Sequence, residues 1–273
     1  YIIIRDGKKG TPIPFWKVYK LTVSGFALNY ATPVGLMGGE PYRIMELTPY
    51  VGASKATSSV ILYVMMHIFS HFCFWFFSIF LYLALRPVDI AMGTILAVVG
   101  AVSLLAIYFF MKGYKNGMAV RTLKLLQHIP FVKEWAKRFS ENKREALERV
   151  DSQIAELHKQ RRSTFYASLS LEFMARIIGC LEVYFILNIL TTDVSFPACI
   201  LIMAFTSLFA NLFFFSPMQL GAREGGFALA VGGLAIPGAF GVYTGLITRV
   251  RELIWIVIGV LLMKVGNGTP ANK

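Results

Sequence analysis

The hydrophobic pattern of the chain consists of long apolar runs separated by short polar breaks, with one hydrophilic stretch in the middle. The runs long enough to cross a bilayer as α-helices are residues 58–85, 88–111, 163–190 and 242–264. Two shorter apolar runs, 21–36 and 197–215, each end at a segment that contains Pro and Gly. This pattern predicts an all-α polytopic membrane protein.

The two short runs end in similar segments. Residues 32–43 read TPVGLMGGEPYR, and residues 216–227 read SPMQLGAREGGF. The equivalent positions are Thr32 and Ser216, Pro33 and Pro217, Leu36 and Leu220, and Glu40 and Glu224. Carboxylates and broken helices are costly in lipid and are retained where they line a polar cavity. Paired broken segments in two halves of a membrane protein indicate a transport site.

The composition fits a membrane protein better than a soluble one. The chain is 56% apolar and 15% charged, with a mean hydropathy of +0.61. Its formal charge of +12 lies in the loops, so attraction to anionic lipid explains it better than nucleic acid does. The cysteines (Cys73, Cys180 and Cys199) lie in apolar runs without a CxxC motif, which indicates free thiols and neither disulfide nor zinc. The sequence indicates no cofactor.

The charge distribution constrains the topology. Residues 112–162 hold thirteen Lys/Arg and six Asp/Glu, and we expect them to form a basic cytoplasmic loop with an amphipathic helix. If every apolar run crossed the membrane, the basic start of the chain and this loop would lie on opposite sides. The conflict disappears if residues 15–57 and 196–245 form re-entrant hairpins that enter from opposite faces.

The predicted fold therefore has two re-entrant helix hairpins in an inverted repeat plus about four to five full transmembrane helices. Residues 1–273 form one transmembrane domain in this prediction, placed in the cytoplasmic (inner) membrane. The chain begins at Tyr1 without a Met, and we expect further sequence to precede it.

Charged residues within the apolar regions are the candidate functional residues. Glu40 and Glu224 belong either to a substrate site or to the caps of their own helices, and Pro41 after Glu40 suits a helix start. Arg43, one turn further, pairs with Glu40 or Glu46 or else binds a phosphate at the helix start. Arg223 has the same role in the second segment, and Arg249 is expected to face the interior of the bundle.

Two further pairs of polar residues lie in the predicted spans. Glu172 and Arg176 have the i,i+4 spacing of an ion pair that would neutralise itself inside a bundle. His67 and His71 are also four residues apart, but no third ligand is evident, so a polar seam is favoured over a metal site. The common hydrolase, nucleotide and redox motifs are missing, and no catalytic residue is predicted.

The motifs resemble those of the flippase-like membrane family that includes the transmembrane region of lysyl-phosphatidylglycerol synthases. The resemblance is carried by residues 29–47 (NYATPVGLMGGEPYRIMEL), by residues 216–224 (SPMQLGARE) and by Arg249. It implies two hairpins whose structural motif is Pro33, Pro41 and Pro217, and it adds Asn29, Gly38 and Gly39 to the substrate-binding candidates. The family often has a Glu-Arg pair where this chain has Tyr63 and Val64.

The function that these patterns favour is a lipid translocase, a flippase-like carrier with a polar mid-membrane site between the hairpin apices. The expected partners are membrane lipids, in particular anionic phospholipid, and assembly into a homo-oligomer stays open. The alternatives are a small anionic solute transporter and a membrane-embedded enzyme or anchor subunit that acts on lipid head groups. The resemblance does not imply aminoacyl transfer, because it covers the transmembrane region, and the synthase members add a soluble catalytic domain to that region.

Overall fold

The computed structural model describes residues 1–4, 13–31, 38–116, 152, 162–191, 194–213 and 219–264, and its regular secondary structure in these ranges is helical. Its helices are α1 (Phe15–Ala31), α2 (Gly39–Val51), α3 (Ala53–Leu85), α4 (Ile90–Asn116), α5 (Arg162–Leu190), α6 (Phe196–Leu212), α7 (Ala222–Gly232) and α8 (Gly238–Lys264). Pro33, Pro217 and nearly all of the basic central loop lie outside the described residues. The predicted hairpin apices and the amphipathic loop helix therefore stay predictions.

Three of these helices are long and apolar enough to cross a membrane, and they coincide with three of the four runs that the sequence predicts to do so; the predicted total of about four to five full transmembrane helices stays a prediction. The three helices are α3, α4 over Ile90–Lys112, and α5 over Ser163–Leu190. Many apolar side chains on α4 are exposed, including Ile90 and Leu105, as expected of a helix that faces lipid. Helix α8 has 27 residues but carries Arg249, Arg251 and Glu252 in its middle, so it does not belong to this apolar set.

Four helices are shorter and form two pairs. In the first helix pair, α1 (17 residues) packs on α2 (13 residues); in the second helix pair, α6 (17 residues) packs on α7 (11 residues). At about 1.5 Å per residue, α2 and α7 extend roughly 20 and 17 Å, well short of a hydrocarbon core of about 30 Å. Neither of these two helices can cross a bilayer alone.

The predicted break between the first pair and the first long span is displaced. The sequence favours a break at Thr48-Pro49, but α2 continues through Pro49 to Val51 and ends at Gly52, which has φ +80°. Pro49 stands in the last turn, where its ring removes a single hydrogen bond on the side of the exposed Met45. Gly52 supplies the positive φ that ends the helix, and α3 begins at the next residue.

Helix α8 connects the two pairs. It packs on α7 and on α1, and Ser24 Oγ donates to the carbonyl of Gly259 at 3.1 Å. A Cβ on Gly259 would lie 2.6 Å from both Ala27 Cβ and the carbonyl oxygen of Val23, so this glycine allows the helices to touch closely. The contact places the end of α1 beside the charged middle of α8.

Candidate functional site

The start of α2 is capped from α1. Asn29 Oδ1 accepts a hydrogen bond from the backbone N–H of Gly39 at 2.7 Å, and Asn29 Nδ2 donates to Glu40 Oε1 at 3.1 Å. The sequence-based interpretation of Glu40 as the cap of its own helix is therefore wrong, because Asn29 takes that role. Pro41 stands third in α2, not first, but still within the first turn, where a missing N–H is harmless. Gly38 is the N-cap residue.

Arg43 ties α2 to α1. Its Nη1 lies 3.0 Å from Glu40 Oε1, its Nε donates to the carbonyl of Leu21 at 3.4 Å, and its Nη2 donates to the carbonyl of Thr22 at 3.2 Å. The residue is buried. Of the two acidic partners that the sequence allows, Glu40 is the one that Arg43 contacts; Glu46 pairs with Lys17 at 2.8 Å.

Two glycines make room for this arrangement. A Cβ on Gly25 would lie 2.5 Å from Arg43 Nε, and a Cβ on Gly39 would lie 2.1 Å from the carbonyl oxygen of Gly25. The second of these contacts is with backbone, which cannot move aside without separating the helices. The close approach of α1 and α2 therefore requires Gly39.

A small cavity adjoins the Arg43 side chain. It has a volume of about 100 Å³, and its polar lining includes Arg43, Thr22, Ser59 and Tyr63. The Arg43 guanidinium lies 5.2 Å from the centre of the Tyr63 ring, a cation–π contact. Ser59 Oγ and Glu40 Oε2 are buried and have no hydrogen-bond partner among the described residues. Both oxygens therefore have hydrogen-bonding capacity that no described residue uses, and Ser59 lies in the cavity lining.

The second helix pair holds its glutamate differently. Glu224 Oε2 accepts from the backbone N–H of Gly221 at 2.9 Å, where Gly221 has φ +78°, so Glu224 does cap its own helix. Glu224 Oε1 lies 3.0 Å from Arg249 Nη2. Arg249 also donates to the carbonyl of Gln219 at 3.5 Å and faces the interior, as the sequence predicts.

Arg223 does not bind the glutamate next to it in sequence. Its guanidinium is in close contact with Glu252 of α8, whose other oxygen lies 3.6 Å from Arg249 Nη1. Arg251 reaches Glu182 of α5 at 3.0 Å. The sequence-based expectation that Arg223 pairs as Arg43 does is wrong, because Arg249 from another helix pairs with Glu224. Phosphate binding by Arg223 stays a prediction.

Neighbouring residues at the end of α1 join the two clusters. Asn29 binds Gly39 and Glu40 of the first pair, and the next residue, Tyr30, interacts with Glu252 and Arg223. The first cluster is Asn29, Glu40 and Arg43, and the second cluster is Arg223, Glu224, Arg249 and Glu252. Asn29 contacts the first cluster and Tyr30 contacts the second, so both clusters lie next to the end of α1.

A third polar region, which we call the α3–α5 seam, lies between those two helices. His67 Nδ1 lies 3.1 Å from Glu172 Oε2, while Arg176 donates to Ser70 Oγ at 2.8 Å and contacts His71 Nδ1 at 3.1 Å. Glu172 and Arg176 thus each contact side chains of α3. The sequence instead predicts that they form an ion pair with each other. No group of three potential metal ligands occurs among the described residues.

Sequence reasoning missed several residues that lie against these clusters. Tyr63 and Gly25 belong to no motif, and Tyr30 lies within residues 29–47 without being singled out there. Glu252 is visible in the sequence as a charge in an apolar run, but its partner Arg223 is 29 positions away. The spacing of Tyr63, His67 and His71 at intervals of four is the one signal that indicates a shared helix face.

Comparison with protein-family models gives one match that spans nearly the whole chain. The model described as lysylphosphatidylglycerol synthase TM region matches residues 3–259. No curated protein and no solved structure matches the chain. The matched range includes both clusters and all three candidate spans.

Proposed function

Because the chain belongs to the family of the lysylphosphatidylglycerol synthase TM region and is a membrane protein related to lipids, we propose that it is a flippase-like lipid carrier. In this proposal an anionic or modified lipid head group binds between the two helix pairs. The protein lies in the cytoplasmic membrane, with its basic central loop in the cytoplasm.

The observation that carries the proposal is the buried carboxylate oxygen of Glu40 that has no hydrogen-bond partner among the described residues. A buried acceptor without a partner costs about 1–3 kcal/mol, so a ligand that donates to it is favoured. Hydroxyl or ammonium groups of a lipid head group are such donors. Arg43 uses three of its five N–H groups in the contacts described above, and a phosphodiester oxygen can accept from the others.

The arrangement of the helix pairs supports a carrier. The first and second pairs are alike in length and in the position of their glutamates, and three candidate crossings separate them along the chain. An odd number of crossings gives like hairpins opposite orientations in the membrane. An inverted repeat with polar residues at the interface of its halves is the architecture in which alternating access operates.

Leaflet exchange of labelled phosphatidylglycerol in proteoliposomes tests the proposal. Glu40→Gln is the informative variant, because Glu40 Oε1 accepts from both Asn29 and Arg43, and a glutamine oxygen can keep both bonds while an amide replaces the open acceptor. We expect at least a tenfold loss of exchange, or about 1.4 kcal/mol. Glu46→Gln, on the same helix but paired with Lys17, is the matched control and should exchange at the wild-type rate.

The alternatives give different results in the same liposomes. A membrane-embedded enzyme would change the head group, which mass spectrometry of the recovered lipid detects. A small-solute carrier would move labelled glycerol 3-phosphate and leave lipid exchange at the protein-free rate. A monodisperse Glu40→Gln variant with wild-type exchange would contradict the proposed site.

A further inference from the structure

The α3–α5 seam has no part in the proposed head-group site, although it begins beside that site. Tyr63, His67 and His71 lie on one face of α3, with ring centres 6.4 and 5.3 Å apart in succession. The Arg43 guanidinium lies 5.2 Å from the centre of the Tyr63 ring, which is in turn the neighbour of His67. One aromatic ring therefore separates the first cluster from the histidines.

The two histidines have opposite surroundings. His71 Nδ1 faces the guanidinium of Arg176, which can only donate, so this nitrogen is an acceptor and the ring is held neutral. His67 Nδ1 faces the carboxylate of Glu172, which accepts, and its side chain is half-exposed. An additional proton is stabilised by a carboxylate and opposed by a guanidinium. The seam therefore favours proton uptake at His67 over His71.

The charges around His67 come from three helices. They are Glu40 and Arg43 on α2, Tyr63, His71 and Cys73 on α3, and Glu172 and Arg176 on α5. The side chains that α4 and α6 place against this part of α3 include Phe110 and Ser207, which are neutral. With neutral histidines the two carboxylates and the two guanidiniums balance, so the described residues give this region no net charge.

An anionic head group beside Arg43 would disturb that balance. A phosphodiester adds one negative charge, and charges interact over longer distances in a protein interior within a membrane than in water. A proton from solvent on the imidazole of His67 would restore neutrality without movement of any helix. The imidazolium would then donate from Nδ1 to Glu172 as the neutral ring does.

We infer that the His67–Glu172 pair is a proton-binding site that takes up a proton when a monoanionic head group binds beside Arg43. The inference rests on the proposed function and adds to it a coupling ion. Anion and proton stabilise each other's binding, so lipid affinity rises as the pH falls. A carrier that binds both would move them together without net charge.

Calorimetric titration with dihexanoyl phosphatidylglycerol tests the coupling. Comparing the heats in buffers of different ionisation enthalpy gives the number of protons taken up per bound anion. For the wild type we expect net proton uptake on binding, and an affinity that rises by about tenfold from pH 8.5 to 5.5. His67→Gln keeps a donor towards Glu172 and should reduce the uptake to near zero, with an affinity that no longer depends on pH.

His71→Gln is the matched control, because it removes a histidine from the same helix face but leaves His67, which faces the carboxylate of Glu172. The number of protons that this variant takes up should equal that of the wild type. The pH dependence of wild-type affinity provides the test if His67→Gln does not fold. Anion binding without proton uptake, or uptake unchanged in His67→Gln, would overturn the inference and leave the proposed function standing. If the wild type binds no anion at all, the proposed function fails, and this inference fails with it.

Discussion

The two helix pairs present a glutamate at equivalent positions but use it in different ways. In the first pair, Glu40 binds Arg43 of its own helix, and its other oxygen has no hydrogen-bond partner among the described residues. In the second pair, both oxygens of Glu224 are engaged, one by its own helix start and one by Arg249 of α8. The difference follows from where each arginine stands in the sequence.

An arginine three residues after a glutamate lies on the same helix face, whereas one directly before it points elsewhere. The first pair has Arg43 at the former position, and the residue at that position in the second pair is the buried Phe227. Arg223 instead turns towards Glu252. In the first pair, the glutamate is thus neutralised by an arginine of its own helix and retains an acceptor for ligand. In the second pair, the partners that neutralise Arg223 and Glu224 come from α8.

The largest expected effect concerns the orientation of the two pairs and is all or none. Single cysteines at positions 143 and 273 should be protected from an impermeant thiol reagent in intact cells, and a cysteine at position 193 should react. The native cysteines are replaced first and serve as a background control. Labelling of positions 143 and 193 from the same side would show that the pairs are not inverted.

Next in size is the effect of closing the space between α1 and α2. Gly39→Ala places a methyl group against the backbone of Gly25 and should destabilise the protein by about 1–3 kcal/mol or prevent folding. Gly179→Ala, where a Cβ meets nothing within 4 Å, should be neutral or stabilising by up to about 1 kcal/mol. Thermal unfolding in detergent measures both, and equal melting temperatures would argue against the close approach.

A smaller difference separates the two glutamates. Glu40→Gln and Glu224→Gln each remove one carboxylate charge from an arginine, but only Glu224→Gln also weakens a helix cap. We expect Glu224→Gln to be the less stable variant by about 1 kcal/mol, while both reduce lipid exchange. A less stable Glu40→Gln would reverse the structural roles given to the two residues.

The smallest effect is expected for the basic loop. Replacing Lys133 and Lys137 by Gln should change lipid exchange less than twofold, because surface charges act through attraction that salt screens. Lipid exchange by this variant and by the wild type, measured at low and at high salt, tests whether the effect depends on screened surface charge. A loss as large as that of Glu40→Gln at high salt would instead indicate a specific site in the loop.

Sequence reasoning reached the features that local patterns determine. The three candidate spans follow from apolar length, and the turn between α3 and α4 follows from its Pro and Asp, where Asp89 Oδ1 accepts from Met92 N at 2.7 Å. The cap by Glu224 and the pairing of Arg43 with Glu40 are likewise contacts within three residues.

Contacts between distant helices were beyond that reasoning. The pairing of Arg223 with Glu252 depends on how α7 packs against α8, and the position of Tyr30 depends on how α1 packs against α8. The glycine contacts that set these distances leave no periodic signal. The bridging of Glu172 and Arg176 to α3 depends in the same way on which face α5 turns towards it.

Native mass spectrometry of the purified protein tests the central claim most directly, because it reports whether a lipid occupies the site at Glu40. The wild type and the Glu46→Gln control should retain the same anionic lipid after mild delipidation, and Glu40→Gln should lose most of it. Equal occupancy by the same lipid in Glu40→Gln and the wild type would contradict the account.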